Sequence, residues 1–385
     1  MTRNAGFVVR CPREVLFGWG KVSELPQAAA KLGKAPMVVV GGSSLASTGR
    51  LGDILGGLEA AGLRPHLFEG IEHDPSVQTI DLGRAAYTQH GCDSLIAIGG
   101  GSVMDAGKAM AGLSAEKAPT ADFVAGKAIG GACPPVICCT TTSGTGSEVT
   151  HVAVLTDKSR RLKASIRTEG MMPTVAIVDP ELTASMPPQQ TAFTGLDAFT
   201  QAVESYVSRG ANPFSDPLAL DAATGIGKWL WVAYVDGGNQ QARSEMALGS
   251  MMAGLALASA RLGLVHGIAH PLGALYGLAH GQACALLLPY VMQFNAPVMA
   301  NKYADIAWRI GLTKDDNADR AAVALIEWTE KLCEDADCRR PLSQCGLGRE
   351  DYPAIVQATM NSGSTKANPR TVTEDDVVAL LDAAM

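Results

Sequence analysis

The sequence predicts an α/β domain with a parallel, Rossmann-like sheet, followed by a domain made only of helices. In the first half of the chain, apolar, β-branched runs alternate with Ala-rich segments of helical period, and several runs end in glycine. Strands that are apolar along nearly their whole length are typical of a parallel sheet covered by helices on both faces. After Pro187-Pro188 only helical periods remain. We therefore predict domains 1–183 and 184–385.

The individual elements follow in order from this pattern. The predicted strands, assigned to one sheet, comprise residues 37–42, 65–70, 94–101, 134–141, 152–156 and 174–180. The predicted helices include residues 51–63 and 79–91 in the first domain and 193–208, 318–335 and 374–385 in the second. No further strand is predicted after Asp179.

Composition restricts the class of protein. A chain of 385 residues exceeds what one hydrophobic core usually serves, which supports two domains. The net charge of −7, without a basic stripe, argues against a nucleic-acid partner. Nine cysteines without a C-x-x-C pair fit a reduced, cytoplasmic protein. We find neither the apolar region of a secretion signal nor an uninterrupted apolar run of about 18 residues, and expect no membrane span.

Two glycine-rich segments directly follow predicted strands. The segment GGGSVMDAGK (99–108) opens a helix, and its backbone N–H groups suit a phosphate or pyrophosphate. Its spacing differs from the G-x-G-x-x-G dinucleotide pattern, and a plain tight turn is the alternative. The segment TTTSGTGSE (140–148) offers hydroxyls and amides at the carboxyl end of a second strand. Together the two segments favour a nucleotide site.

The second domain places polar groups in apolar surroundings. His266, His270 and His280 lie in VHGIAHPLGALYGLAHG (265–281), where an imidazole needs a partner. On helix 193–208, one face carries a polar stripe of Asp197, Gln201, Glu204 and Ser208. A solvated face is one interpretation of this stripe. The other is that Asp197 joins His266 and His280 as a 2-His-1-carboxylate metal site, although spacing alone does not show that the two segments meet.

These segments resemble the iron-dependent (group III) alcohol dehydrogenases. The blocks that carry the resemblance occur in the family order: GGGSVMDAGK, TTSGTGSEVT, VDPEL, GLDAFTQAVES, NPFSDPLAL and HGIAHPLGALYGLAHG. The resemblance extends from about Phe17 to the C-terminus. It implies an α/β domain that binds NAD(P), a helical metal-binding and catalytic domain, and a metal in the cleft between them.

The resemblance also implies roles for single residues. Asp197, His266 and His280 match metal ligands, and His270 matches a proton relay near the nicotinamide. Residues that match cofactor contacts are Gly99, Gly100, Gly101, Ser102 and Asp105 in the first loop, Thr141, Thr142 and Thr145 in the second, and Leu182 beside the nicotinamide.

Three positions depart from, or vary within, the family pattern. Gln201 stands where most members have a fourth metal ligand, histidine, and an amide oxygen is a weaker donor. Gly42 stands where NAD-preferring members often have an acidic residue. The small residues there leave room for a 2′-phosphate, to which Ser43 and Ser44 could hydrogen-bond, so the expected cofactor is NAD(P)H with a preference for NADPH. Arg261 stands where relatives usually have a small residue. It is either a structural arginine or, with His151, a contact for an anionic substrate.

The resemblance implies an NAD(P)-dependent alcohol dehydrogenase or aldehyde reductase that contains Fe²⁺ or Zn²⁺. The expected substrate is a small aldehyde, ketone or alcohol, with an acidic one allowed, and the expected assembly is a homodimer or larger homo-oligomer. Gln201 and Arg261 keep open a second enzyme class, an oxo-acid reductase similar to maleylacetate reductase with weak or no metal dependence. A nucleotide-binding sensor on the same fold is disfavoured because the catalytic residues are intact.

Overall fold

The structure, a computed structural model, describes residues 6–42, 44–47, 49–160 and 162–385. These residues form two compact units. The α/β unit comprises Arg10–Thr142 and Gly146–Thr183. The helical unit comprises residues 6–9, Ser143–Thr145 and Ala184–Met385. The predicted α/β first half and helical second half are confirmed.

The strands of the described chain all lie in the α/β unit. They are β1 (Glu14–Phe17), β2 (Pro36–Val40), β3 (His66–Phe68), β4 (Ser94–Gly99), β5 (Val136–Thr140), β6 (Val152–Asp157), β7 (Leu162–Arg167) and β8 (Val175–Val178). Six of them form a parallel sheet in the order β1-β8-β5-β4-β2-β3. The central strands β2, β4 and β5 are buried along their whole length, as continuous apolar runs predict.

One predicted strand lies outside this sheet. The prediction that residues 152–156 join the parallel sheet is wrong, because β6 pairs antiparallel with β7. Strand β7 itself was not predicted from the sequence. Only residues 158–161 connect the two strands, and so short a connection permits only antiparallel pairing. Alternate residues of β6 are buried, as in a strand with one covered face. The short edge strand β1 was also missed.

The helices divide between the two units. The α/β unit contains α1 (Leu25–Ala30), α2 (Ser44–Ser47), α3 (Arg50–Ala60), α4 (Val77–Gln89), α5 (Gly101–Leu113) and α6 (Thr120–Val124). The helical unit contains α7 (Pro188–Val207), α8 (Ser215–Val235), α9 (Gln240–Ala260), α10 (Leu264–Tyr276), α11 (His280–Ile310), α12 (Ala318–Asp335), α13 (Tyr352–Asn361), α14 (Gly363–Ala367) and α15 (Glu374–Ala383).

Close packing of α5 on the sheet explains two of the glycines near its start. A Cβ on Gly107 would lie 2.7 Å from the Cβ of Ala97 in β4, and one on Gly99 would lie 2.6 Å from Val103 Cγ2. Both distances are too short for real side-chain contacts, so only glycine allows this approach. As a result α5 begins directly after β4, with Gly100 as its N-cap, and the first backbone N–H groups of the helix lie at the carboxyl end of the strand.

Among the single helices of the described chain, α11 alone is both long and apolar enough to be a candidate membrane span. By length and composition alone it could cross a membrane, since an 18-residue stretch has a mean hydropathy of 1.4. However, 56% of that stretch is buried inside the protein, where Leu286, Leu287 and Leu288 join the core. The helix packs against α7, α8 and α12. The apolar composition of α11 is therefore equally explained by its position in the core of the helical unit.

Candidate metal centre and cofactor loops

The polar stripe of α7 is buried. Asp197, Gln201 and Glu204 are each 3% exposed, and Ser208 just beyond the helix is 1% exposed. The interpretation of this stripe as a solvated face is therefore wrong. Nearly all of α7 lies inside the helical unit, so its polar groups need partners from neighbouring elements.

Asp197 meets the two histidines that the sequence placed in a separate segment. Its Oδ1 lies 3.4 Å from His266 Nε2 and 3.6 Å from His280 Nε2. His266 belongs to the first turn of α10, and His280 is the first residue of α11. The Sγ of Cys284, one turn further along α11, completes a group whose four ligand atoms lie within 4.8 Å of one another. The structure thus brings the predicted 2-His-1-carboxylate set together.

Glu204 holds this arrangement in place, a function that sequence reasoning missed. Its carboxylate accepts hydrogen bonds from the backbone N–H groups of Gly263 (2.9 Å) and Val265 (2.6 Å) at the start of α10. It also lies 2.7 Å from His266 Nδ1. With Nδ1–H donating to Glu204, the lone pair of Nε2 faces Asp197, as in the carboxylate–histidine pairs of metal sites. The sequence feature that could have indicated this function is the position of Glu204, one helical turn after Gln201 on the polar stripe.

The unpaired oxygens and the charges of the cluster fit a cation. Asp197 Oδ1 and Gln201 Oε1 are buried without a hydrogen-bond partner among the described residues. Burial alone would raise the pKa of Asp197, but His280 and His266 hold it below its usual value. Burial likewise would lower the pKa of His266, whereas Cys284, Asp197 and Glu204 raise it well above the ordinary value. Positive charge is therefore favoured at this position, and a divalent metal would supply it.

His270 lies beside the cluster. Its ring stacks on that of His280, with centroids 5.4 Å apart and planes 16° apart, and its centroid is 6.1 Å from that of His266. His270 is only partly buried, whereas His266 is 1% exposed. A partly exposed imidazole next to a metal-ligand group is suited to proton exchange with solvent.

Three segments of the α/β unit meet at one edge of the sheet. β2, β4 and β5 are parallel neighbours, so Gly42, the Gly99–Ser102 loop and Thr141 all follow the same ends of these strands. Thr141 N–H donates to Gly99 O (3.0 Å), and a Cβ on Gly100 would contact Thr142 Cγ2 at 3.3 Å. Gly42 is exposed, and a Cβ on it would meet no heavy atom of the described residues within 4 Å. Ser43 lies outside the described residues.

Asp105 and Lys108 fasten the second glycine-rich loop to α5. The carboxylate of Asp105 accepts from Val154 N–H (2.8 Å) and from the Ser147 hydroxyl. The fully buried Lys108 ammonium lies 3.2 Å from Asp105 and donates to Ser147 O (2.9 Å) and Thr150 O (3.3 Å). The carboxylate of Asp105 thus supports the loop. Lys108 was not singled out from the sequence, although its spacing from Asp105 is that of an i, i+3 ion pair.

The remaining predicted contacts are distributed over both units. Ser102 Oγ accepts from Asp74 N–H (3.2 Å), and Leu182 is buried in a 3-10 turn against one face of the sheet. Thr145 belongs to the helical unit. Burial and the charges of Arg10 and Arg167 lower the pKa of His151 to about 4, so its ring is neutral at pH 7.

Arg261 has an unusual backbone conformation. It is the exposed C-cap of α9, with φ 69° and ψ 176°, a region that residues other than glycine rarely adopt. Only residues 261–263 separate α9 from α10, and the two helices meet at 102°. Such outliers persist only when surrounding contacts over-determine them, and they concentrate at functional sites.

Comparison with known proteins agrees with this geometry. The family models "Iron-containing alcohol dehydrogenase" and "Fe-containing alcohol dehydrogenase family, C-terminal" match residues 12–180 and 191–385. An NADPH-dependent butanol dehydrogenase of Clostridium saccharobutylicum is 34% identical, over 96% of each chain. The crystal structure of a 1,3-propanediol oxidoreductase superimposes with a TM-score of 0.94 at 33% identity, over 99% of this chain and 100% of that one.

A third relative is a sulfoacetaldehyde reductase of Bifidobacterium kashiwanohense, solved in complex with NAD⁺. It has a TM-score of 0.89 and 31% identity, over 99% of each chain. The present chain therefore belongs to the iron-containing alcohol dehydrogenase family. It is an NAD(P)-dependent, metal-containing oxidoreductase that transfers hydride between the nicotinamide and a small alcohol or carbonyl compound.

Proposed function

We propose that this enzyme is an NADPH-preferring reductase of small aldehydes whose metal is held by Asp197, His266 and His280. One observation carries the proposal: these side chains converge within the helical unit, with a partly exposed histidine, His270, stacked on one of them. An oxo-acid reductase without metal dependence would have no use for this buried group of donors, which supports the metal-dependent alternative.

The metal and the nicotinamide cofactor supply one part of the proposed chemistry, and side chains of the enzyme supply the other. The metal supplies Lewis-acid stabilisation of negative charge on the carbonyl oxygen, and the reduced nicotinamide supplies the hydride. His270 provides the proton that the product hydroxyl needs and recovers it from solvent. Glu204 keeps the His266 ring oriented, and the amides at the start of α5 bind the pyrophosphate.

The proposed preference for NADPH depends on Gly42, which follows the end of β2. Gly42 is exposed and has open space around it among the described residues, so this position itself places no carboxylate where the adenosine ribose of a dinucleotide is expected. The related proteins do not decide the question, because one is named as NADPH-dependent and another was solved with NAD⁺. The absence of negative charge at Gly42 favours the additional 2′-phosphate.

The position and charge of Arg261 lead us to propose a substrate with an anionic group. This exposed cation lies at the turn that leads into His266, and its backbone is held in a costly conformation. A guanidinium binds carboxylate, sulfonate or phosphonate groups through paired hydrogen bonds. The relative that reduces sulfoacetaldehyde indicates that an anionic aldehyde is compatible with this fold. His151, neutral at pH 7, would add a hydrogen bond rather than charge.

We also propose a cellular compartment and an assembly state for the enzyme. All nine cysteines are free thiols, which supports the cytoplasm as the compartment. We further propose a homodimer or larger homo-oligomer, which light scattering coupled to size-exclusion chromatography tests.

The test of the proposed function is metal content measured together with turnover. His280→Ala removes one imidazole donor, so metal content and NADPH-dependent reduction of an aldehyde should both fall at least about tenfold. His90→Ala, at an exposed histidine of the α/β unit, is the control and should retain both. Full metal content in His280→Ala would contradict the assignment. Undiminished turnover after complete chelation would favour the metal-independent oxo-acid reductase.

A further inference from the structure

Cys284 is a thiol inside the candidate metal centre. It follows His280 by one turn of α11 and is completely buried. Its Sγ lies 3.9 Å from His266 Nε2 and 3.9 Å from His280 Nε2, the same two nitrogen atoms that face Asp197 Oδ1. The sulfur therefore faces the atoms that would hold the metal rather than an apolar part of the core.

The distances agree with four ligands around one ion. Bond lengths of about 2.0–2.2 Å to nitrogen or oxygen and about 2.3 Å to sulfur imply edges of about 3.3–3.6 Å between the ligand atoms of a tetrahedral zinc site. The nitrogen–oxygen pairs here are separated by 3.4 and 3.6 Å and the sulfur–nitrogen pairs by 3.9 Å. These four separations exceed the expected edges by no more than a few tenths of an ångström, and all four ligand atoms lie within 4.8 Å of one another.

Cys284 also has a chemical advantage over the other candidate for a fourth donor. Gln201 offers a neutral amide oxygen, buried without a hydrogen-bond partner among the described residues. A thiolate is charged and polarisable, and it selects for zinc over harder cations. An anionic sulfur within the group therefore changes which metal the site prefers.

We propose that the Cys284 thiolate is the fourth protein ligand of the metal and shifts the preference of the site from Fe²⁺ towards Zn²⁺. This inference rests on the proposed metal site of Asp197, His266 and His280 and deepens it. Metal binding displaces the thiol proton to solvent, so the step forms an S–metal bond and breaks an S–H bond without any redox change.

The test uses the full-length protein loaded with Co²⁺, whose bond to a thiolate gives a charge-transfer band in the near ultraviolet. Wild type should show this band, and Cys284→Ser should lose it while retaining bound Co²⁺. Cys333→Ala, at another fully buried cysteine of the helical unit, and Gln201→Ala should both keep it. Competition with a chromophoric chelator should show that Cys284→Ser weakens Zn²⁺ binding about 10–100-fold and Fe²⁺ binding less.

The outcomes separate this inference from the proposed function. Absence of the band in cobalt-loaded wild type would overturn the inference without the need for any variant, as would its persistence in Cys284→Ser. Aldehyde reduction with NADPH is measured on the same preparations. Turnover without the band would leave the proposed function standing alone. The band without turnover would support Cys284 as a ligand and count against the proposed function.

Discussion

Glu204 shows how one buried carboxylate can organise a site without belonging to it. It binds two backbone amides and the His266 ring at once, so the start of α10 and the direction of Nε2 are fixed together. Ser208, the C-cap residue that follows α7, donates to Ala260 O (2.6 Å) and holds the end of α9 in a similar way. The polar stripe thus serves two purposes: Asp197 belongs to the candidate metal-ligand group, with Gln201 beside it, and the other two residues fix the backbone.

We predict that Glu204→Gln weakens metal binding about 10–100-fold. The amide can accept from fewer donors than the carboxylate, and its NH₂ group disfavours the tautomer of His266 that leaves Nε2 free. The free energy of unfolding should also fall, by about 1–3 kcal/mol, because a buried donor loses its partner. Metal affinity is measured by chelator competition and stability by denaturant titration.

Ser208→Ala is the matched control for this prediction. It removes the hydrogen bonds of a buried hydroxyl directly after α7, to Ala260 O, Ala367 O and Gly210 N–H, but leaves His266 and its partner intact. It should reduce stability by about 1 kcal/mol and leave metal affinity unchanged. Equal losses of metal affinity in both variants would show that Glu204 acts only through general stability.

At the scale of elements, the turn from α9 to α10 determines where His266 and Arg261 lie. We predict that Arg261→Gly raises the free energy of unfolding by about 1 kcal/mol, because glycine adopts this backbone conformation without strain. The same change should raise KM for an anionic aldehyde about tenfold or more, through loss of a charge-assisted contact, and spare a neutral aldehyde.

Arg261→Ala separates the two effects of that substitution. Alanine keeps the backbone strain but removes the guanidinium, so it should lose the preference for the anionic aldehyde without gaining stability. A uniform change of kcat/KM for both aldehydes would identify Arg261 as a structural residue, the alternative that the sequence left open.

The end of strand β2 is the element that we expect to select the cofactor. We predict that Gly42→Asp weakens NADPH binding at least about tenfold and spares NADH, because a carboxylate near the 2′-phosphate places two like charges together. Gly42→Asn has nearly the same shape without the charge and should affect NADPH less. Equal weakening of both cofactors by Gly42→Asp would show that this residue does not contact the ribose.

Elements with a strong local signal could be predicted from the sequence, and those defined by distant partners could not. The amphipathic helix α12 was predicted with the bounds that the structure has, because its apolar period is regular. Strands β1 and β7 were missed, since most of their residues are only partly buried or exposed, and β1 in addition pairs with β8, which is remote in sequence. For the same reason Asp197, His266 and His280 could be proposed as a set, but their convergence with Cys284 required the fold.

At the scale of the molecule, the metal-ligand group and the glycine loop at the start of α5 belong to different compact units. We therefore predict different patterns of hydrogen exchange for the two ligands. Zn²⁺ added to chelator-treated protein should slow amide exchange in α7, α10 and the start of α11. NADPH should slow it in residues 99–105 and 140–150. Mass spectrometry of peptides measures both, and an effect of Zn²⁺ confined to the glycine loop would contradict the assignment.

The short segment Ser143–Thr145 has a consequence for protein engineering. It is counted with the helical unit although the chain on either side belongs to the α/β unit, and Gly144 lies so close to Thr194 of α7 that a Cβ there would be 2.8 Å from the Thr194 Cβ. A chimera that joins the first half of one relative to the second half of another at residues 183 and 184 would mismatch this contact. Recombination between family members must therefore transfer residues 143–145 together with the helices, or keep glycine at 144 and threonine at 194.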